Sequence, residues 1–248
     1  MGESITVKVP ATSGNMGSGF DCLSIALDFW NTLYVEVGIE GFEIQGEGID
    51  FLSRDTSNLI YSSLRIPFEA SNQEFPPVRI ICDNGIPLAR GLGSSSAAAV
   101  AGLVAGNELS GKLLTQQQLL EVAAELEGHP DNVASALLGG CQIVVQDDGR
   151  LVTSSIPIPS GLAAVVYIPE FAMPTAQARE LLLDEVSRED AVYNIGRVAL
   201  MVNALSTGNL THIAIGAEDR LHQIGREALF PQMKTVFRAA LEGGALAV

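Results

Sequence analysis

The sequence has few cysteines, few positive charges and no long apolar run. Its three cysteines, Cys22, Cys82 and Cys141, are odd in number and far apart. This argues against a disulfide framework or a four-ligand zinc site, and favours buried thiols in a reducing compartment. Only 14 Lys and Arg stand against 29 Asp and Glu, a net charge of −15, so we expect no nucleic-acid or anionic-membrane partner. A bound anion must therefore be held by a few placed cations, by backbone N–H groups or by a metal.

Signals for secretion and membrane insertion are also lacking. No apolar run approaches the roughly 20 residues that span a bilayer. Residues 1–9 contain neither the charged nor the apolar segment of a secretory signal. With 47% hydrophobic and 17% charged residues, the composition is that of a globular protein. We expect a cytoplasmic enzyme with one large domain or two ordinary ones.

Hydrophobic periodicity predicts an α+β chain in which strands and helices alternate irregularly. Strands are predicted at residues 5–9 (ending at Pro10), 27–37, 42–45, 78–83, 141–146 and 162–168. Helices are predicted at residues 58–70 (to Pro67), 97–109, 115–127, 131–138, 175–183, 190–205 and 210–215. A proline-containing break near residue 157 predicts two domains, residues 1–155 and 156–248.

A glycine- and serine-rich stretch, Pro87–Ala97 (PLARGLGSSSA), precedes an alanine-rich helix. Gly91 and Gly93 let the backbone approach a ligand closely, and the three serines that follow can cap the helix. A helix start concentrates unpaired N–H groups and partial positive charge, which suit a phosphate. The alternative is a glycine turn that caps an ordinary helix. The stretch is neither a Walker A loop nor a dinucleotide fingerprint.

This stretch closely resembles the second motif of the GHMP small-molecule kinases, PxxxGLGSSxA, whose loop wraps the phosphates of ATP. The resemblance implies that the whole stretch binds ATP. Its residues are Pro87, Leu88, Ala89, Arg90, Gly91, Leu92, Gly93, Ser94, Ser95, Ser96 and Ala97.

A second glycine-rich loop lies in Pro10–Asp21 (PATSGNMGSGFD). One interpretation is that the side chains of Asn15 and Asp21 form local turns and bind no ligand. The stretch is similar, however, to the first motif of homoserine kinases, PxTSxNxGxGFD, within the same superfamily. The resemblance implies that Asn15 and Asp21 bind the amino-acid end of homoserine, where an Asp suits the ammonium group.

Two arginines are candidates for the carboxylate of homoserine, which calls for bidentate binding. Thr175–Arg179 (TAQAR) resembles the TxxAR segment of the family, which implies that Arg179 binds substrate. Arg226, five residues before Pro231, matches the second arginine of the family less closely. A solvated surface role is the alternative for both.

A metal site is expected because ATP chemistry needs Mg²⁺, held by one or two protein oxygens, phosphates and water. Glu121–Gly140 (EVAAELEGHPDNVASALLGG) closely matches the homoserine-kinase signature EGHPDNVAPALLGG. The resemblance implies that Glu127 binds the metal, with Glu125 as the second choice. Ser95 or Ser96 would supply a hydroxyl ligand.

Three other side chains are assigned by resemblance. His129 would lie near the acceptor, with helix capping as its alternative, and Asn132 would orient the loop. The segment departs from the signature at Ser135, where proline is usual. Asn58 lies in a DxxNL-like stretch and would contact adenine, although it could equally cap the next helix.

The resemblance also implies a fold and a reaction. The fold is the two-domain GHMP kinase fold, with a ribosomal protein S5 domain 2-like N-terminal domain and a ferredoxin-like C-terminal domain. The reaction is ATP-dependent phosphorylation of L-homoserine to O-phospho-L-homoserine, a step of threonine biosynthesis. No residue identifies itself as a strong base, so no catalytic base is assigned. A non-catalytic nucleotide-binding module and a kinase for another small alcohol are the alternatives.

The C-terminal end, Gly243–Val248 (GGALAV), departs from the family pattern. Family members carry there a third motif, an SGSGP-like turn that follows a strand. We predict an interrupted strand at residues 245–248 and an incomplete C-terminal domain. An exposed apolar sheet edge would favour aggregation or a homodimer.

Overall fold

The computed structural model describes residues 3–171 and 175–248. In this part of the chain one sheet contains all the strands: β1 (Ser4–Gly14), β2 (Leu23–Val37), β3 (Gly41–Gly46), β4 (Val78–Asn84), β5 (Cys141–Asp147) and β6 (Arg150–Ile156). The N-terminal helices are α1 (Leu59–Ala70), α2 (Ser94–Leu109), α3 (Gln116–Glu127) and α4 (Asp131–Leu138). The C-terminal helices are α5 (Thr175–Glu180), α6 (Arg188–Thr207), α7 (Ile213–Gly216), α8 (Gln223–Arg226) and α9 (Met233–Glu242). The predicted α+β class is confirmed.

The long strand β2 organises the sheet. It pairs antiparallel with β1 along most of its length, with β4 through Asn31–Val37, and with β5 through Leu23–Ile25. The strand order is β3-β4-β2-β5-β6, with only β3 and β4 parallel. Both loops with predicted ligand-binding roles therefore start from strands that pair with β2.

Strand β1 does not end at Pro10, so that prediction is wrong. The pairing with β2 shifts between Pro10 and Ala11 and then continues to Gly14. A bulge accommodates proline because the missing N–H costs no ladder hydrogen bond there. The extended strand carries Thr12 and Gly14 towards the start of α4.

The described residues form two apolar clusters. The larger cluster packs the sheet against α1 to α4 and includes Leu33, Leu103 and Val133. The smaller one packs the start of β2 against α6 and includes Leu23 and Met201. The loop after β1 contacts helices distant in sequence, because Met16 packs against the smaller cluster and the Asn15 N–H donates to Asp131 at the start of α4.

Several other expectations fail for identifiable reasons. Pro67 lies inside α1, which continues to Ala70. Strand β6 was not predicted because its sequence, RLVTSSI, is largely polar and its burial pattern mostly exposed. Residues 162–168 form no strand, since no neighbouring strand supplies a ladder, and Val165 is 97% exposed.

The C-terminal end lacks the strand that was expected there. Residues 245–248 form no strand but follow α9 and the turn at Gly243 and Gly244. The sequence pattern also missed α8 and α9, and the helix expected at residues 210–215 is a 3₁₀ turn (Leu210–His212) followed by α7. The predicted domain boundary falls at the last residue of β6, and the division itself stays a prediction. Among the described helices, none is long and apolar enough for a membrane span.

Candidate active site

The loop before α2 lines a cleft of about 240 Å³. The cleft is lined by Ala89, Arg90, Gly91, Leu92, Gly93, Ser94, Ser95, Ser96, Glu127, His129 and Asn132. Helix α2 starts beyond Gly93, and no side chain caps its N-terminus. The first N–H groups of the helix therefore remain available to an anion in the cleft.

Gly93 is required by its surroundings. Its φ of 63° lies in the left-handed region, and a Cβ there would lie 2.0 Å from Thr12 Oγ1. The backbone N–H of Thr12 donates to the Leu92 carbonyl at 3.0 Å, and its hydroxyl donates to Asn132 Oδ1 at 2.9 Å. Strand β1 and the start of α4 thus fix the loop, a role for Thr12 that its sequence context did not indicate.

The hydroxyls of two loop serines converge on one carboxylate oxygen. Ser95 Oγ and Ser96 Oγ donate to Glu127 Oε2 at 2.8 and 2.7 Å. Glu125 is exposed and does not line the cleft. The structure therefore brings together the serines and the glutamate that the resemblance placed at the metal.

This oxygen cluster fits a Mg²⁺ ion that takes its remaining ligands from phosphate and water. Glu127 forms no ion pair with Lys or Arg within residues 3–171 and 175–248. The same residues contain no group of three or more His, Cys, Asp or Glu able to hold a metal by themselves.

The side chain of Asn15 bridges the loop after β1, which is the local turn that the sequence allowed. Asn15 and Asp21 have φ values of 56° and 53°, and Asn15 Oδ1 accepts from the Asp21 N–H at 2.9 Å. The Asn15 N–H donates to Asp131 Oδ2 at 3.2 Å. The side-chain NH₂ of Asn15 has no partner in the described part of the chain, so it can donate to a ligand.

Asp21 and Arg179 form a bidentate ion pair. The guanidinium donates to the two carboxylate oxygens at 3.0 and 2.6 Å. Both side chains are about one-third exposed, so the pair is accessible to a ligand. The structure thus joins the residue expected to bind an ammonium group to the one expected to bind a carboxylate.

Arg226 lies beside this pair without a carboxylate partner among the described residues. Its Nε is buried and makes no hydrogen bond. Burial lowers the pKa of Arg226 from its usual value, and the charge of Arg179 lowers it further. The guanidinium groups of Arg179 and Arg226 lie 5.7 and 5.9 Å from the ring centroid of Phe20. Sequence reasoning gave Phe20 no role.

A buried carboxylate, Asp131, connects the two loops. Its side chain is fully buried, and His129 Nδ1 lies 2.9 Å from Oδ1. Burial alone would raise the pKa of Asp131, but hydrogen bonds from His129 and from the N–H groups of Asn132 and Asn15 outweigh it and lower the pKa. The hydrogen bond to Asp131 in turn raises the pKa of His129. We missed Asp131, although an acid in the first turn of a helix is a usable signal.

The remaining predicted ATP contacts lie outside the cleft lining. Asn58 caps α1, since Oδ1 accepts from the Ile60 N–H at 2.9 Å and Nδ2 donates to the Ser53 carbonyl at 2.8 Å. The capping alternative is therefore the one seen, and the adenine contact stays a prediction. Pro87 and Leu88 precede the cleft lining, and Ala97 is buried beneath it.

Comparison with known proteins connects this site to one group of enzymes. A family model described as the GHMP kinases N terminal domain matches residues 58–140. A homoserine kinase of Desulfitobacterium hafniense is 41% identical over 243 residues, covering 97% of this chain and 82% of the relative. A homoserine kinase of Synechococcus sp. is 42% identical over 245 residues, covering 97% and 80%.

Solved structures of kinases are also similar to this chain. A crystal structure of homoserine kinase from Cytophaga hutchinsonii superposes with a TM-score of 0.87 at 30% identity, covering 100% of this chain and 81% of that one. The L. major mevalonate kinase in complex with R-mevalonate gives a TM-score of 0.67 at 14% identity, covering 100% and 85%. The second similarity shows the fold alone.

Proposed function

The chain belongs to the homoserine kinase family, and we propose from this membership that it phosphorylates the side-chain hydroxyl of L-homoserine with ATP. The product is O-phospho-L-homoserine, a step of threonine biosynthesis. A cytoplasmic location and a homodimer remain predictions.

The observation that carries the proposal is the arrangement of charge around Asp21. An amino-acid substrate presents one ammonium and one carboxylate group close together. Asp21 offers a carboxylate for the first. Arg179 and Arg226, which has no carboxylate partner among the described residues, offer guanidinium groups for the second. Charge-assisted and bidentate contacts are the strong hydrogen bonds of protein sites. This set of charges supports an amino-acid alcohol over an uncharged sugar as acceptor.

The neighbouring phosphate loop supports the nucleotide half of the reaction. The uncapped start of α2 presents backbone N–H groups, and the loop serines present hydroxyls to the same cleft. Phosphoryl transfer proceeds mainly by positioning and charge stabilisation. Asp131 contacts His129 and the Asn15 N–H from its buried position, so we assign it a positioning role and leave the catalytic base unassigned.

We assign the Mg²⁺ site to Glu127 with Ser95 or Ser96. When bound, Mg²⁺ neutralises charge on the phosphates. The contacts of both hydroxyls with one Glu127 oxygen support this assignment over Glu125.

A coupled turnover assay with a panel of small alcohols tests the proposal. We expect L-homoserine to be phosphorylated in preference to mevalonate and galactose. A preference for either of those alcohols would refute the homoserine assignment. ATP binding without turnover of any alcohol would instead favour a nucleotide-binding module.

A further inference from the structure

Phe20 lies between His222 and two arginines, and the proposed reaction assigns no role to its ring. One side of this stack is His222, whose ring centroid lies 5.2 Å from that of Phe20 at an interplanar angle of 24°. The guanidinium groups of Arg179 and Arg226 also lie against the Phe20 ring, 5.7 and 5.9 Å from its centroid. Both distances are within the roughly 6 Å at which an aromatic ring attracts a cation.

His222 is a rigid support for this ring. Its side chain is 3% exposed, and the Asp219 side chain beside it is fully buried. Asp219 Oδ2 accepts from the N–H groups of His222 and Gln223, each at 2.8 Å. The ring Nδ1 lies 3.0 Å from Asp219 Oδ1, although the contact lacks hydrogen-bond geometry. The position of the imidazole is therefore set by the backbone at the start of α8.

The same carboxylate also reaches the other end of the glycine-rich loop. Asn194 Nδ2 donates to Asp219 Oδ1 at 2.7 Å and lies 3.3 Å from the Ser18 carbonyl. Ser18 Oγ donates to the Gly216 carbonyl at 2.8 Å. One buried network from α6 to α8 thus fixes the loop at Ser18 and, through His222, at Phe20.

Two arginines at one ring repel each other, so their separation needs a physical cause. Among the described residues, the Asp21 carboxylate binds Arg179 and not Arg226, and the buried Nε of Arg226 has no hydrogen-bond partner. The ring of Phe20 lies within 6 Å of both guanidinium groups. We propose that Phe20, supported by His222, is a positioning residue that holds Arg179 and Arg226 at the separation required by the carboxylate of the amino-acid substrate. The proposal rests on the proposed function, since it names the group that these arginines recognise.

The first test is Phe20→Leu, which keeps apolar bulk and removes the ring. We expect the KM for L-homoserine to rise about tenfold, the scale of one or two partly desolvated cation–π contacts. The KM for ATP and kcat should stay near wild type. The inhibition constant of 3-aminopropan-1-ol, which lacks the carboxylate, should not change. Phe20→Tyr keeps the ring and should restore the wild-type KM.

Phe75→Leu is a matched control. Phe75 is also partly buried, makes edge-to-face contacts with two aromatic rings and lies 5.8 Å from the Arg65 guanidinium, but Arg65 is not an arginine expected to bind substrate. It should alter the thermal midpoint without changing the KM for L-homoserine. His222→Leu should raise that KM through Phe20, so the double variant Phe20→Leu/His222→Leu should be no worse than Phe20→Leu alone.

If Phe20→Leu raised the KM for L-homoserine and the inhibition constant of 3-aminopropan-1-ol by the same factor, the proposal would be overturned. Failure of Phe20→Tyr to restore the KM would also overturn it. Calorimetric binding of 4-hydroxybutyrate, which keeps the carboxylate, separates this proposal from the reaction itself. If wild type does not phosphorylate L-homoserine, weaker binding of 4-hydroxybutyrate by Phe20→Leu still supports the stack. Unchanged binding would refute it.

Discussion

The phosphate loop and the acceptor loop, proposed to bind the ATP phosphates and the amino-acid substrate, are built by different means. The phosphate loop, residues 89–96, relies on backbone N–H groups and on residues from the N-terminal half, among them Thr12 and Glu127. The acceptor loop, residues 14–21, also contacts Asp131 of α4 but depends mainly on side chains from the C-terminal helices. Asp21 and its partner Arg179 are 158 residues apart in sequence.

This difference separates a local ligand site from one built by tertiary packing. A phosphate has the same charge pattern in every nucleotide, so a helix start and close backbone approach suffice. An amino-acid alcohol must be distinguished from other alcohols, and charged side chains provide that discrimination. Variants in the two loops should therefore affect different ligands.

The largest effect is expected from Glu127→Gln. Removing the ionised oxygen that receives both serine hydroxyls should lower Mg²⁺-dependent turnover roughly a hundredfold or more, since metal charge stabilisation contributes several kcal/mol. Initial rates over a Mg²⁺ titration measure it. Glu125→Gln is the matched control and should stay close to wild type. If the two variants exchanged behaviour, Glu125 would be the ligand.

The next largest effect is expected from Asp21→Asn. This variant removes the charge from a hydrogen bond to the substrate ammonium group. Such a bond contributes roughly 1.5–3 kcal/mol, so the KM for L-homoserine should rise by about one to two decades. The KM for ATP should hardly change. Steady-state kinetics with each substrate varied in turn measure both. A larger loss for ATP would show that the acceptor loop serves the nucleotide.

A smaller effect, on stability, is expected from Gly93→Ala. The left-handed backbone alone costs roughly 1–2 kcal/mol for a residue with a Cβ, and the Cβ would also overlap Thr12 Oγ1. Gly91→Ala is matched in φ, at 69°, but its Cβ would meet nothing within 4 Å. Urea unfolding should show a greater loss for Gly93→Ala. Equal losses would mean that Thr12 does not restrict this part of the loop.

The smallest effect concerns pH. Burial alone would raise the pKa of Asp219, but the contacts from His222, Gln223 and Asn194 hold it well below its usual range. A carboxyl group whose pKa is lowered by folding stabilises the fold at pH values above its pKa in the unfolded chain, about 3.9. This stabilisation is lost as the pH falls below that value. Asp219→Asn should therefore be less stable at pH 7 and lose less stability between pH 5 and 3 than wild type.

Unfolding by urea at several pH values measures this slope. Asp190→Asn is the control, because the pKa of this exposed carboxyl is lowered mainly by the Ser187 hydroxyl. Asp190→Asn should leave the pH dependence of the free energy of unfolding almost unchanged. An unchanged slope in Asp219→Asn would mean that Asp219 is not stabilised by its buried partners.

The helix start behind the phosphate loop could be predicted from sequence because its signal is local: Gly93 and the serines after it form a short pattern that indicates the start of a helix. The ATP-binding role was assigned by resemblance and stays a proposal. The role of Phe20 could not be assigned in this way, and for Asp131 the first turn of α4 signals an acid but not its partners. Their roles depend on contacts with residues brought from distant elements, such as His222 and Asn15.

Strand prediction failed where pairing, not composition, decides the structure. Residues 162–168 have the apolar pattern of a strand but no partner, whereas the polar β6 forms because β5 lies beside it. At Pro10 the pattern predicted an end, and a bulge continued the strand. The course of β1 beyond Pro10 is what positions the acceptor loop.

The most direct test of the central claim is a calorimetric titration of three proteins with two ligands. Wild type, Asp21→Asn and Glu127→Gln are each titrated with Mg²⁺-ATP and with L-homoserine. We predict that Asp21→Asn weakens only L-homoserine binding and that Glu127→Gln weakens only Mg²⁺-ATP binding. If either variant weakened both ligands equally, the two loops would form one undivided site and the account would be contradicted.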